Sequence, residues 1–231
     1  MDANSRPISS AQTGPHEKLL ALVERHARHP FQRPIADYNR VAFEQAMVAW
    51  GGRQPLVLDA GCGVGRSTIR LAHRHRDCFV LGVDQSADRL GRGKDDEAPA
   101  DNYALVRADL VDFWRLLRQH GVTLAHHYLL YPNPWPKIGQ LSRRWQGHPV
   151  LPELLALGGR LECRSNWRLY VEELALAVGH LTGCAMAVER CDAGEALTPF
   201  ERKYRDSGQT LWRGVADLAS ARRVDAGKPH S

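Results

Sequence analysis

The feature that most constrains this chain is a glycine-rich turn between an apolar run and a helical pattern. Residues 58–65 have the sequence Leu-Asp-Ala-Gly-Cys-Gly-Val-Gly; apolar residues precede them and a helical pattern follows. Three glycines this close together let a ligand approach the backbone where any Cβ would hold it away. A strand, a glycine turn and a helix in this order are typical of a nucleotide-binding α/β domain.

Short apolar runs and helical patterns alternate along the rest of the chain. Beyond the run before the turn, strands are predicted within residues 78–84, 103–110, 123–136, 160–166, 185–191 and 210–219. Strands separated by helices of crossover length predict a seven-stranded, mostly parallel sheet with helices on both faces, an α/β fold of Rossmann-like type. The predicted domains are a disordered tail (1–15), N-terminal helices (16–52), the α/β domain (53–220) and a C-terminal tail (221–231).

The spacing of the glycines distinguishes between two cofactors. Dinucleotide turns have the pattern G-x-G-x-x-G and receive a pyrophosphate, whereas this turn is G-x-G-x-G and follows Asp59. A carboxylate would repel a pyrophosphate but suits the ammonium group of S-adenosylmethionine (SAM), which carries a cationic sulfonium and no phosphate. We therefore predict SAM as the cofactor, held by Asp59, Gly61, Gly63 and Gly65.

Acidic residues also end the next two predicted strands. Asp84 lies roughly 20 residues after the last glycine, where a carboxylate accepts hydrogen bonds from both ribose hydroxyls. Asp109 ends the third strand, where its carboxylate can accept from an adenine amine, and Leu110 follows it. Because ligands bind at the carboxyl ends of parallel strands, we predict that these three residues complete the SAM site.

A proline-rich loop over residues 131–137, the acceptor loop, follows the fourth strand. Residues 131–137 have the sequence Tyr-Pro-Asn-Pro-Trp-Pro-Lys, in which three prolines restrict the backbone. A rigid loop at this edge of the sheet can hold a flat acceptor beside the SAM sulfonium, with Trp135 as a stacking surface. The sequence therefore indicates a methyl-acceptor site formed by Asn133 and Trp135.

This loop resembles the F-P-D-P-W-P-K motif of the bacterial tRNA (guanine-N7)-methyltransferases of the TrmB type. The basic residues that follow the family's motif are matched by residues 142–145, Ser-Arg-Arg-Trp, and its T-D pair by Ser165 and Asn166. Its T-x-F/Y-E motif is similar to residues 198–201, Thr-Pro-Phe-Glu. The resemblance covers roughly residues 50–215 and implies a divergent member of the family. It implies a class I SAM-dependent methyltransferase that methylates a purine ring nitrogen in tRNA.

The resemblance also implies roles for residues outside the SAM site. Those implied in catalysis are Asn133, Asn166 and Glu201, and those implied in substrate binding are Trp135, Lys137, Arg143, Arg144 and Thr198. The two arginines lie directly after the acceptor loop and are expected to contact phosphates.

Two of these positions depart from the family pattern, because Asn133 and Asn166 stand where the family has aspartates. Guanine N7 has a free lone pair, so methylation needs no general base, but it generates a cationic base that a carboxylate stabilises. An asparagine accepts a hydrogen bond without supplying charge, so we expect weaker guanine capture. Glu201 is the remaining candidate carboxylate.

Three other functions fit the sequence less well. The first is methylation of another acceptor, either a small heterocycle or an exocyclic amine held by an element similar to N-P-P-Y, which Trp135 interrupts. The second is a SAM- or RNA-binding module without catalysis. A dehydrogenase comes last, because the glycine spacing does not match.

Composition limits the partners. The net charge of +5 and the isoelectric point near 9.1 permit nucleic acid as a partner. No run approaches ~18 uncharged apolar residues, the N-terminus lacks the apolar core of a signal peptide, and the five cysteines form no C-x-x-C pair. We expect a cytoplasmic protein without a membrane segment or a metal site; the sequence leaves its oligomeric state open.

Overall fold

The computed structural model describes residues 5–92, 97–191 and 194–219. The predicted tail at 221–231 lies outside these residues. Seven strands are described: β1 (Leu56–Ala60), β2 (Phe79–Asp84), β3 (Tyr103–Arg107), β4 (His126–Leu130), β5 (Arg160–Ser165), β6 (Ala187–Arg190) and β7 (Trp212–Asp217). The helices are α1 (Leu19–Arg28), α2 (Asp37–Trp50), α3 (Arg66–Arg74), α4 (Ala87–Leu90), α5 (Leu110–Gln119), α6 (Leu151–Ala156), α7 (Arg168–Thr182) and α8 (Pro199–Asp206).

The strands form one sheet in the order β3-β2-β1-β4-β5-β7-β6. β7 pairs antiparallel with both β5 and β6, and the other pairings are parallel. The strand order reverses between β1 and β4, so the crevice at the carboxyl ends of these two strands is where an open α/β sheet binds its ligand. The predicted seven-stranded, mostly parallel sheet is confirmed.

Helices cover both faces of this sheet, as predicted. Every residue of β1 and β2 is buried, as expected for central strands of a parallel sheet. On β1, Leu58 packs into the larger core with α1, α2 and α5–α7, while Val57 packs into the smaller core with Leu71 of α3. The alternation of side chains along β1 therefore places Asp59 on the α3 face of the sheet.

The segment before α1 corrects one prediction. Residues 5–15 were expected to be a disordered tail, but polar side chains fasten them to the folded domain. Ser10 Oγ donates to Pro136 O at 2.6 Å, and Gln12 Nε2 donates to Glu173 Oε1 on α7 at 2.6 Å. The polar composition indicated disorder. Hydrogen bonds to distant residues, which the local pattern does not reveal, hold the segment along the acceptor loop.

None of the helices in the described ranges is long and apolar enough to span a membrane.

Candidate active site

The glycine turn closes tightly over the end of β2. Gly61 N and Cys62 N donate to Val83 O at 2.8 and 3.1 Å. The three glycines have φ of 82°, 59° and 82°, a region that side chains with a Cβ rarely adopt. A Cβ on Gly65 would lie 2.7 Å from Leu105, whereas a Cβ on Gly63 would meet no atom within 4 Å. Gly65 therefore serves packing, and Gly63 keeps the space beside the turn open.

Asp59 has one unpaired oxygen at this turn. Its Oδ2 accepts from Ser67 Oγ at 2.6 Å and from Thr68 Oγ1 at 2.8 Å, both on α3. Its Oδ1 is buried and has no hydrogen-bond partner among the residues that the structure describes. Burial raises the pKa of Asp59 to about 6, against the opposing effect of the two hydroxyl groups. A buried acceptor without a donor fits a ligand that brings an ammonium group.

Asp84 and Asp109 lie at the same edge of the sheet, as predicted, but both also hold the protein together. Asp84 Oδ2 accepts from Gly63 N at 3.0 Å and so orders the turn. Asp109 Oδ1 accepts from Val111 N at 2.8 Å and caps the start of α5, which begins at Leu110.

Arg33, which the sequence reasoning missed, donates to Asp109 Oδ2 at 3.3 Å from the segment between α1 and α2. The position of this arginine between Pro30 and Pro34 is the one sequence feature that could have indicated a role for it. The segment between the two N-terminal helices therefore contributes to the side of the predicted adenine site.

These residues fit SAM. The open space at Gly63 can receive the ligand, and the orphaned Oδ1 of Asp59 can receive its ammonium group. Asp84 and Asp109 keep accepting capacity, since each carboxylate oxygen has two lone pairs.

The acceptor loop leaves the carboxyl end of β4 in a strained conformation. Tyr131 and Trp135 have φ of 53° and 44°, unusual for bulky residues. Asn133 between them is exposed, as is Lys137 at the end of the loop. The guanidinium carbon of Arg143 lies 4.7 Å from the centre of the Trp135 ring, a cation–π contact that orients this predicted stacking surface.

Asn166 lies beyond the end of β5, next to β4 in the sheet, so the two asparagines belong to the same edge. Its Nδ2 donates to Gln209 Oε1 at 2.9 Å, and Gln209 Nε2 donates to Ser5 O at 2.8 Å. Sequence reasoning missed Gln209 and Ser5, because neither lies in a recognisable motif.

Arg144 corrects a second prediction. We expected it to contact phosphate, but its side chain is fully buried and its Nη1 donates to Glu173 Oε2 at 2.7 Å. Its neighbour Arg143 is exposed and stays a predicted phosphate contact. Adjacent arginines look equivalent in sequence, but they project in different directions from a turn of 3₁₀ helix over Ile138–Arg143.

Glu201 corrects a third prediction, while the substrate contact predicted for Thr198 stays a prediction. Glu201 is 2% exposed; its Oε1 accepts from Arg164 Nη1 at 2.9 Å and its Oε2 from Leu197 N at 3.1 Å. Thr198 Oγ1 caps α8 by accepting from Glu201 N at 2.9 Å. For Glu201 this pattern is a helix cap with a buried ion pair rather than a free catalytic carboxylate.

Across the described parts of the chain, no group of three or more histidine, cysteine, aspartate or glutamate side chains is arranged to hold a metal ion.

Comparison with known proteins identifies the family. Residues 53–214 match the model of a protein family described as "Putative methyltransferase". The chain belongs to this methyltransferase family. The predicted SAM-dependent methyltransferase activity and the SAM cofactor are thereby confirmed.

Curated relatives of this methyltransferase are named tRNA (guanine-N(7)-)-methyltransferase. The protein of Acidovorax sp. (strain JS42) is 28% identical over 204 residues, which cover 83% of this chain and 77% of the relative. That of Treponema pallidum (strain Nichols) is 27% identical over 162 residues, 68% of this chain and 64% of the relative. That of Bordetella pertussis (strain Tohama I) is 28% identical over 208 residues, 80% of each chain.

Solved structures share the fold of this methyltransferase. The 16S rRNA methyltransferase KamB superposes with a TM-score of 0.54 at 19% identity, covering 82% of this chain and 98% of that chain. An antibiotic-related methyltransferase gives a TM-score of 0.53 at 14% identity, with 81% and 96% covered. At these identities the likeness shows the class I methyltransferase fold alone.

The raised pKa of Asp59 predicts a pH dependence of cofactor binding. An ammonium group binds the ionised carboxylate better than the protonated one, so binding lowers this pKa and low pH opposes binding. We expect the affinity for S-adenosylhomocysteine, the reaction product, to be constant above about pH 7. It should fall by up to tenfold per pH unit below about pH 6. Calorimetric titrations between pH 5 and about pH 8 measure this, and a flat profile would contradict it.

The open space at Gly63 predicts that a side chain at this position blocks cofactor binding. Gly63→Ala places a methyl group where the ligand must lie and should weaken S-adenosylhomocysteine binding by at least about tenfold. Gly51→Ala is the matched control, since Gly51 at the end of α2 has φ 65° and also has open space at its Cβ. Both variants should lose about 1 kcal/mol of unfolding free energy in urea titrations, while only Gly63→Ala loses affinity. Equal affinities would contradict the placement.

Proposed function

We propose that this methyltransferase transfers the methyl group of SAM to N7 of a guanine in tRNA. One observation carries the proposal: the P-x-P-W-P-K loop, with positive φ at Tyr131 and Trp135, extends from the carboxyl end of β4 beside the glycine turn of β1. The curated relatives that carry the name tRNA (guanine-N(7)-)-methyltransferase support the choice of acceptor.

The residues of the loop edge have the chemistry to hold a guanine. SAM supplies an electrophilic methyl group on its sulfonium. Asn133 and Asn166 present amide groups that can pair with polar atoms on the edge of the base, and the Trp135 ring, backed by Arg143, offers a stacking surface. N7 attacks with its own lone pair, so no side chain has to remove a proton. The protein needs only to hold the base so that N7 lies in line with the methyl group and the sulfur of SAM.

Positive charge surrounds this edge. Exposed basic residues lie on the acceptor loop, at the start of α7 and along α8, which leads into β7 at the same edge of the sheet. They are Lys137, Arg143, Arg168, Arg202, Lys203 and Arg205. Such a surface fits phosphates on both sides of a target nucleotide, and a tRNA substrate would place the enzyme in the cytoplasm.

One observation favours a second candidate, methylation of a less basic acceptor such as a small heterocycle. The three predicted catalytic side chains provide no free carboxylate, because two are amides and Glu201 is paired with Arg164. A cationic methylated guanine would therefore be stabilised less here than beside an aspartate.

Transfer of labelled methyl groups to tRNA transcripts tests the proposal. We expect label in the transcript and 7-methylguanosine among its nucleosides by mass spectrometry. A transcript made with 7-deazaguanosine is the matched control, because it lacks the N7 lone pair and should receive no label. Label in another nucleoside, equal label in the deaza transcript, or no label would refute guanine N7 as the target.

A further inference from the structure

A fully buried ion pair lies directly beneath the acceptor loop. Neither Arg144 nor Glu173 has an exposed side-chain atom, and Arg144 Nη1 lies 2.7 Å from Glu173 Oε2. Burying such a pair gains little stability over an apolar pair of the same volume, since desolvation offsets the attraction. The pair contributes to this fold through the other hydrogen bonds that Arg144 and Glu173 make.

Glu173 joins two segments that are far apart in sequence. Its Oε1 accepts from Gln12 Nε2 at 2.6 Å and from His16 N at 3.0 Å, both in the segment before α1. Its Oε2 accepts from Arg144 and from Gln146 Nε2, the latter at 3.1 Å. One carboxylate on α7 therefore fastens the N-terminal segment and the segment after the acceptor loop to the same point.

Arg144 connects Glu173 to the acceptor loop. Its Nε donates to Trp135 O at 3.1 Å, and its Nη2 donates to Lys137 O at 3.3 Å and to Gln12 Oε1 at 3.0 Å. The planar guanidinium presents its donors in fixed directions. A charged donor on the carbonyl of Trp135 offsets the strain of that residue, whose φ is 44°.

The segment before α1 also holds the acceptor loop. Ser10 Oγ donates to Pro136 O at 2.6 Å, so the loop carbonyls at three consecutive residues, 135–137, are each held by a side chain. Because the ion pair has no exposed atom, it touches the loop and not the acceptor.

We propose that Arg144 and Glu173 are positioning residues that set the geometry of the acceptor loop for methyl transfer. The inference rests on the proposed function in one respect, that the loop holds the acceptor. Displacing reacting groups by about 1 Å lowers rates by as much as a hundredfold, so a loosened loop should lower kcat. The glycine turn that binds SAM is held by other contacts, at Val83 and Asp84, and should be unaffected.

Arg144→Lys tests this, since lysine keeps the charge beside Glu173 but cannot reproduce the fork to Trp135 and Lys137. We expect kcat for tRNA methylation to fall by about tenfold to a hundredfold. The Kd of S-adenosylhomocysteine should stay within about twofold. Arg28→Lys is the control, because Arg28 pairs with Glu24 on the exposed side of α1 and should leave both values unchanged.

Hydrogen exchange measured by mass spectrometry gives a readout that does not depend on turnover. Arg144→Lys should speed exchange in residues 5–16 and 131–141 and leave β1 protected. Gln12→Ala, a change at a half-buried site that keeps the ion pair, should speed exchange in the same two segments and lower kcat by a smaller factor.

Three outcomes would overturn the proposal: wild-type kcat in Arg144→Lys, faster exchange throughout the chain including β1, or unchanged exchange in Gln12→Ala. If the wild-type enzyme methylates no tRNA, the proposed function fails, and the exchange pattern alone then decides whether the pair holds the loop.

Discussion

Asp59→Asn is expected to weaken SAM binding strongly and to stabilise the ligand-free protein at the same time. The carboxylate is the charge that the ammonium group of SAM needs, and removing one partner of a buried charged pair typically costs 2–5 kcal/mol. We therefore expect the Kd of S-adenosylhomocysteine to rise by at least about thirtyfold in calorimetry. At SAM concentrations below this Kd, methyl transfer by the variant should fall by at least the same factor.

The gain in stability follows from the direction of the pKa shift. Burial raises the pKa of Asp59 from 3.8 to about 6. The native state therefore holds a proton that the unfolded state releases between these values, and ionised Asp59 destabilises the fold as pH rises through this window.

The penalty at about pH 8 amounts to up to about 3 kcal/mol, and asparagine removes it while still accepting from Ser67 and Thr68. Urea unfolding should show a more stable variant at pH 8, by a margin that shrinks towards pH 5. A variant less stable than wild type at pH 8 would contradict this account of Asp59.

Asn133→Asp is expected to raise kcat/KM for guanine-N7 methylation by about tenfold. The side chain is exposed at the acceptor loop, so ionisation costs little. A charge-assisted hydrogen bond is about twice as strong as a neutral one, and about 1.4 kcal/mol in the transition state corresponds to a factor of ten. Asn133→Ala should lower kcat/KM by a similar factor. Steady-state transfer to a tRNA transcript measures both.

Asn166→Asp tests the second asparagine of the acceptor site, where a different result is expected. The amide of Asn166 donates to Gln209, whose own amide group is fixed by Ser5 O. A carboxylate there would face the oxygen of Gln209, so this variant should gain less than Asn133→Asp or lose activity. If Asn133→Asp lowers guanine methylation while raising transfer to another acceptor, the chain is specialised for that acceptor.

The sequence was sufficient to predict the sheet and the cofactor turn, because both depend on local patterns. The alternation of apolar runs and helices predicts a mostly parallel sheet, and the three glycines after Asp59 predict a tight turn, in which all three have positive φ. The ends of parallel strands meet at one edge, so Asp84 and Asp109 could be placed together without coordinates.

The acceptor site was harder to predict because its residues act through contacts that are distant in sequence. Arg143 and Arg144 are adjacent and chemically identical, yet one is exposed and the other is buried against Glu173, a residue in no recognised motif. Glu201 matched a family motif, but its environment of Arg164 and the Leu197 amide makes it part of a helix cap. The N-terminal segment gave no periodic signal, since single polar contacts rather than an apolar face hold it.

Calorimetric titration of the purified protein with S-adenosylhomocysteine and, separately, with NAD tests the central claim most directly. The orphaned oxygen of Asp59 and the open backbone at Gly63 predict one tight site for S-adenosylhomocysteine and no measurable binding of the dinucleotide. Tight binding of NAD without binding of S-adenosylhomocysteine would contradict it.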